Sequence, residues 1–239
     1  MARGLGPDRA PASSEVKHLL DTARLRLPQS ASAMALNSFL PWRDRSEGLV
    51  LVGQGPFTEL RFAARCPTGV RGTPPLLDLL AANGDSLVAV AARGADYIGR
   101  KPSRLAAAYA GTRLPDDMAG WQSLLDLLEG EPGRFRHIDA VALLKNAIGL
   151  ARTFPGRRLT LLYLFWEPRT ADDLAFHRHR AEIRLLAQTV QGAVVSFEAR
   201  SFDELWSEWD AIADLPWLRE MVAELRARYA VAIGTPTAL

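Results

Sequence analysis

The sequence predicts an α/β protein: one domain built on a mixed β-sheet flanked by helices. Three observations predict it. Apolar runs at 59–65, 76–81 and 86–92 have the length of strands. The last two are joined by Asn83-Gly84-Asp85, and Asn-Gly tolerates the positive φ that a tight hairpin needs. A strand–helix–strand succession then spans 159–197, the pattern of a parallel pair with a crossover. The hairpin supplies the antiparallel half of the sheet and the crossover unit supplies the parallel half.

Residues 1–28 read as an N-terminal extension, and 29–239 as the single domain. The first thirteen residues are rich in Pro, Gly and Ala and form a loose lead-in. Ser13 or Ser14 can cap a helix from Glu15 to Leu27, which Pro28 ends. A second helix covers Ala31 to Leu40 and stops before Pro41. Leu49-Val50-Leu51-Val52 is a short strand-like run, and Glu59 to Arg65 reads as a strand. A turn-rich loop, Pro67 to Pro75, leads into the hairpin. Arg104 to Ala110 offers one or two helical turns, and Met118 to Leu128 a helix that Gly130, Pro132 and Gly133 stop.

Ile138 to Ala151 is a buried helix by its apolar content. Leu159 to Phe165 is almost wholly apolar, as in a strand covered on both faces. Asp172 to Gln191 is a long charged helix, and Ala193 to Phe197 a second buried strand. Two amphipathic helices close the chain, from Phe202 to Ala213 and from Trp217 to Tyr229, with Pro216 suited to the first turn of the latter.

Composition narrows the classes of function. The 239 residues are 48% hydrophobic and 23% charged, as in an ordinary globular domain and unlike a disordered or fibrous chain. Lys+Arg number 29 against 27 Asp+Glu, a net charge of +2. That is too small an excess to specify a nucleic-acid partner. Cys66 is the single cysteine, so neither an intrachain disulfide nor a Cys-rich zinc site can form. No apolar run is long enough to span a bilayer and no secretory signal opens the chain. The expectation is a soluble, cytoplasmic protein with no membrane partner. Lysine occurs only at 17, 101 and 145, so the basic residues are nearly all Arg, which holds phosphates but cannot act as a base.

Most local motifs have bland readings. Gly53-Gln54-Gly55 lacks a third glycine and is followed by Pro56 rather than a helix, so it reads as a turn rather than a phosphate cradle. No P-loop and no Gly-x-Ser-x-Gly elbow is present. Asp173 and His177 are four apart and could share a metal, but solvated side chains are the default on a charged helix, for His179 as well. Cys66 beside Arg65 reads as a buried structural thiol before a reactive one. Trp206, Trp209 and Trp217 read as core before partner surface.

One constellation is more specific. Asp78 interrupts the apolar strand Leu76-Leu77-Asp78-Leu79-Leu80, where a carboxylate is costly unless paired or at an edge. The hairpin partner Val88-Ala89-Val90-Ala91-Ala92-Arg93 puts residues 91 and 93 on one face. The segment Glu59 to Leu80, with Asp78 inside it, resembles a bacterial branch of the PD-(D/E)XK restriction-endonuclease-like superfamily. Ser32-Ala33-Met34-Ala35-Leu36-Asn37 resembles that branch's first core helix, and Leu143 to Leu150 its later core helix. Leu161 to Trp166 resembles its fourth strand. The resemblance runs in order over residues 30–210. It implies a restriction-endonuclease-like mixed sheet flanked by helices and a Mg²⁺-dependent nuclease ancestry.

The departures are as informative as the matches. The branch places a Glu and a Lys two residues apart after the hairpin; here those positions are Ala91 and Arg93. Ala63 stands where a Glu is expected, and the later helix has Ala142, Lys145 and Asn146 where a Gln and a His flank the Lys. The resemblance thus assigns Asp78, Arg93 and Lys145 to the catalytic positions. Asp78 is the metal-binding acid, with Asp96 as the nearest candidate to replace the missing one; Glu59 and Asp85 are further candidates. Arg65, Arg71, Arg100, Lys101 and Arg104 are placed as phosphate contacts around the cleft. The leading expectation is a nuclease-like protein with impaired catalysis that binds nucleic acid, DNA above all, or another partner, and needs no cofactor. The alternatives are an active Mg²⁺-dependent DNA endonuclease with a relocated carboxylate, and an interaction protein that uses its Trp-bearing C-terminal helices.

Overall fold

The computed structural model describes residues 30–98, 102–169, 174–212 and 215–230. Five strands form one sheet in chain order: β1 (Glu59–Arg65), β2 (Leu76–Ala82), β3 (Ser86–Arg93), β4 (Arg158–Phe165) and β5 (Val195–Ser201). β1, β2 and β3 are antiparallel neighbours, whereas β3–β4 and β4–β5 are parallel. The mixed sheet expected from the sequence is therefore present. The carboxyl ends of β3, β4 and β5 and the amino end of β2 share one side of the molecule.

Among the described residues six helices cover the sheet: α1 (Ala31–Phe39), α2 (Ala119–Gly130), α3 (Ala140–Thr153), α4 (Leu174–Thr189), α5 (Phe202–Ile212) and α6 (Pro216–Tyr229). Strand alternation divides their packing into two layers. Leu87, Ala89, Ala91, Leu161, Tyr163 and Phe165 face α2, α3 and α4. Val88, Val90, Ala92, Leu162 and Leu164 face α1, α5 and α6. β3 and β4 are buried on both faces, which is why their sequences are nearly continuous in apolar residues. Among the described residues no helix is long and apolar enough to cross a membrane.

Local chemistry sets the element ends. Ser30 caps α1 by accepting the Ala33 N–H, and Asp139 caps α3 by accepting the Ala142 N–H at 3.0 Å. Asn83 Oδ1 accepts the N–H groups of Asp85 and Ser86, which closes the predicted hairpin. Gly149 of α3 lies so close to the segment after β1 that a Cβ there would overlap the Cys66 carbonyl oxygen.

Four expectations need correction. Leu49–Val52 is not a strand: only Leu51 and Gln54 bridge, across a turn in which Val52 and Gly53 have φ of 46° and 73°. The Gly53-Gln54-Gly55 stretch is accordingly a turn. Residues 104–110 hold only a 3-10 turn, Ala107–Tyr109. The last strand runs to Ser201 rather than ending at 197; it is an edge strand, so polar Glu198 and Arg200 are tolerated and its sequence lacks the apolar signature. His179 is fully buried, on the stripe Phe176, His179, Ile183 and Leu186 by which α4 meets the sheet. Trp206 and Trp209 are core residues, beside Phe39 and Trp42. The helix expected at 15–27 lies outside the described residues.

Candidate functional site

Sheet register places the decisive positions close together without pairing them. In β1–β2 the pairs Phe62–Leu79 and Ala64–Leu77 flank position 63, and the ladder skips Ala63 and Asp78. In β2–β3 the ladder ends at Leu79–Val90; Asp78 bonds the Ala92 N–H rather than pairing with Ala91, and Ala91 pairs with Tyr163 of β4. Ala63 has φ 53°, an unfavourable conformation for a residue with a Cβ, and the β1–β2 ladder is interrupted there. Of the three positions where the resemblance expects an acid, only the middle one carries it.

Asp78 is held tightly. Its Oδ2 accepts the Ala92 N–H at 2.8 Å. Ser32, in the first turn of α1, adds a side-chain hydrogen bond, and the positive charge of Arg93 lies nearby. A helix N-terminus favours a carboxylate. Burial nevertheless dominates and holds the Asp78 carboxyl above the usual carboxylate range, against the pull of Ala92, Arg93 and Ser32. Arg93 is half-buried and donates from Nη1 to the Ala92 carbonyl at 2.9 Å. Asp78 is thus bound on the α1 side of the sheet, whereas Ala91, 2% exposed, packs in the α2–α3–α4 layer.

The space beside Ala91 and Arg93 is aromatic. His179 Nε2 meets the Tyr163 hydroxyl at 2.9 Å, and its ring stacks on Tyr97 with centroids 3.9 Å apart. Phe165, the β4 neighbour of Arg93, packs edge-on against His179. Tyr97 donates its hydroxyl hydrogen to the Trp166 carbonyl at 2.8 Å. Burial, helped by the charges of Arg180 and His137, pushes His179 down to about 3, so the ring is neutral. The sequence pattern hid this role because a histidine on a charged helix looks solvated; its apolar periodicity with Phe176 and Ile183 was the available signal.

The other predicted residues are distributed more widely. Asp96 is exposed on the 3-10 turn Ala95–Tyr97 that follows β3. Lys145 is half-buried on α3, beside buried Asn146. Arg65 ends β1 and donates to the Pro74 carbonyl at 3.3 Å; Arg71 is exposed in the following loop, and Arg104 is exposed as well. Arg100, Lys101 and Asp173 lie outside the described residues. Cys66 is buried, and burial pushes its thiol up, which suits a structural cysteine.

A magnesium ion takes octahedral oxygen ligands, usually one or two carboxylates with waters and substrate phosphates. The donor set around Asp78 does not fit that requirement. One carboxylate oxygen is committed to the Ala92 N–H, a guanidinium is close, and positions 63 and 91 are both Ala. Among the described residues, no group of three or more His, Cys, Asp or Glu side chains could hold a metal ion. No protein-family model matches the chain, and no curated protein or solved structure matches it either.

Proposed function

We propose that this chain is a nuclease-like protein of the PD-(D/E)XK type whose hydrolytic site is lost and which binds nucleic acid, with DNA as the favoured partner. That Asp78 is the single acid among positions 63, 78 and 91 carries the proposal. Its carboxylate serves as a structural tie between β2, β3 and α1, and Arg93 beside it can hold a phosphate but cannot take a proton from water. Misplaced or missing ligands in such a site cost orders of magnitude in rate. What remains is a strand-end surface with cations and no means of activating water.

Binding to phosphates would be electrostatic and salt-dependent. The direct test is a gel shift at low salt with duplex DNA, single-stranded DNA and RNA. The expected result is a shift that weakens steeply as salt rises. A protein that shifts none of these nucleic acids overturns the proposal. The interaction-protein reading is less favoured, because two of its three tryptophans, Trp206 and Trp209, are 1% and 2% exposed and the third, Trp217, is partly buried against the same core.

A further inference from the structure

Two of the acid-free stretches of the chain meet in the fold. Residues 60–77 carry Arg61, Arg65 and Arg71; residues 140–166 carry Lys145, Arg152, Arg157 and Arg158. These seven cations stand against a whole-chain charge of only +2, so the rest of the chain is net negative. The fold brings the two stretches together. Gly149 of α3 packs on the Cys66 carbonyl, and a Cβ on Gly69 would run into the Arg152 guanidinium. Arg61 lies over the Phe154 ring, 5.4 Å from its centroid, and Thr153 hydrogen-bonds Cys66.

Helical spacing makes the arrangement ordered. Lys145, Gly149 and Arg152 lie on one stripe of α3, at i, i+4 and i+7. The glycine lets the 66–69 segment seat against that stripe, and the two cations flank it. Arg65 and Arg71 come from the same segment's two sides. Among the described residues, Arg65, Arg71, Lys145 and Arg152 form no ion pair, whereas Arg61 is paired with Glu59. The opposite edge of the sheet is different. There Arg180 is paired with Glu167 and Glu204, Arg200 with Glu198 and Glu208, and Arg226 with Asp203 and Asp210. The acidic side of the molecule is neutralised internally, and the basic side is not.

The geometry points to the β1–α3 edge, with Arg65, Arg71, Lys145 and Arg152, as a surface that grips a nucleic-acid backbone by its phosphates without reading its bases. This inference rests on the nucleic-acid reading above and assigns its surface. Base readout needs an element that enters a groove. Here α3 is held against the sheet by Leu143, Leu144, Ala147 and Leu150, and β1 is hydrogen-bonded into it. Neither element projects. A lipid surface is less suited, because the cations sit on a strand, a loop and a core helix, and the apolar faces of α1, α5 and α6 are spent inside the protein.

The test is fluorescence anisotropy of labelled 20-base-pair duplexes of unrelated sequence, titrated with the full chain over a range of salt. Wild type is expected to bind all duplexes within about threefold of one another. The loss of two phosphate contacts in Arg71→Ala/Arg152→Ala makes the log K against log salt slope shallower by about two. Arg178→Ala/Arg184→Ala, on the exposed side of α4, keeps the wild-type slope. Arg71→Ala alone, at an exposed loop residue, guards against misfolding and is expected to lose about half of that slope change. Tight binding that is equal in all variants overturns this surface and leaves the nucleic-acid reading standing. Strong preference for one duplex sequence overturns the backbone-only mode. No binding to any duplex, with capture by phosphatidylserine vesicles that Arg71→Ala/Arg152→Ala abolishes, overturns the nucleic-acid occupant itself.

Discussion

Asp78 and Ala92 are joined across the β2–β3 hairpin by a hydrogen bond of 2.8 Å from the Ala92 N–H to Oδ2. The bond ties a carboxylate to backbone at the ends of the two strands. Ser32 and Arg93 complete its surroundings. An acid with these partners has a structural task, and its ionisation reports on it.

The folded pKa of Asp78 is raised, so the folded state binds that proton more tightly than the unfolded chain. Its contribution to stability is fully present below the ordinary value of 3.8 and is lost as pH rises through the raised folded value. Asp78→Asn removes this dependence. Denaturant unfolding of the two proteins is expected to show the variant gaining on wild type as pH climbs above the ordinary carboxylate value of 3.8. A stability difference that stays constant over that climb contradicts the burial of the carboxyl.

His179 titrates in the opposite sense. Its folded pKa is lowered from 6.5 to about 3, so its contribution is present above 6.5 and is lost as pH falls toward 3. The expected slope is up to about 1.4 kcal/mol per pH unit within that window. His179→Phe should have a flatter acid limb than wild type, even though it removes the His179–Tyr163 hydrogen bond. An unchanged acid limb would place the titrating group elsewhere.

Gly149 is a packing requirement. A methyl group there meets the Cys66 carbonyl, which belongs to backbone and cannot swing away. Gly149→Ala is expected to destabilise the fold by about 2 kcal/mol, within the usual range for overpacking. Thermal and denaturant melts measure this, and a neutral substitution would show that α3 and the 66–69 segment are further apart than described.

Restoring the missing pair should fail. Ala91 is 2% exposed in the layer that holds Tyr163 and Phe165, on the other side of the sheet from the Ser32 contact of Asp78. Ala91→Glu buries a carboxylate without a cation, at a cost of about 3 kcal/mol or more. Ala91→Glu/Arg93→Lys is therefore expected to melt earlier than wild type and to show no metal-dependent cleavage. Cleavage by this variant would mean that the site is only two side chains from function.

Much of this architecture was legible in the sequence, for local reasons. Asn83-Gly84 announced the hairpin, and the unbroken apolar run of β4 announced burial on both faces. β5 was misplaced because an edge strand carries polar residues outward, and Leu49–Val52 was misread because apolar side chains also bury from a turn. The aromatic cluster around His179 and the pairing of Arg152 with Gly69 were not legible, because they join elements far apart in the chain.

A lone carboxylate at Asp78, with Ala at positions 63 and 91, lacks the ligands that metal-dependent hydrolysis needs. Supercoiled plasmid incubated with Mg²⁺ or Mn²⁺ is the deciding assay, with wild type compared with Asp78→Ala. No nicking by wild type above the level of the variant is expected, with protein in excess over plasmid. Metal-dependent nicking by wild type that disappears in Asp78→Ala would overturn the loss of hydrolysis.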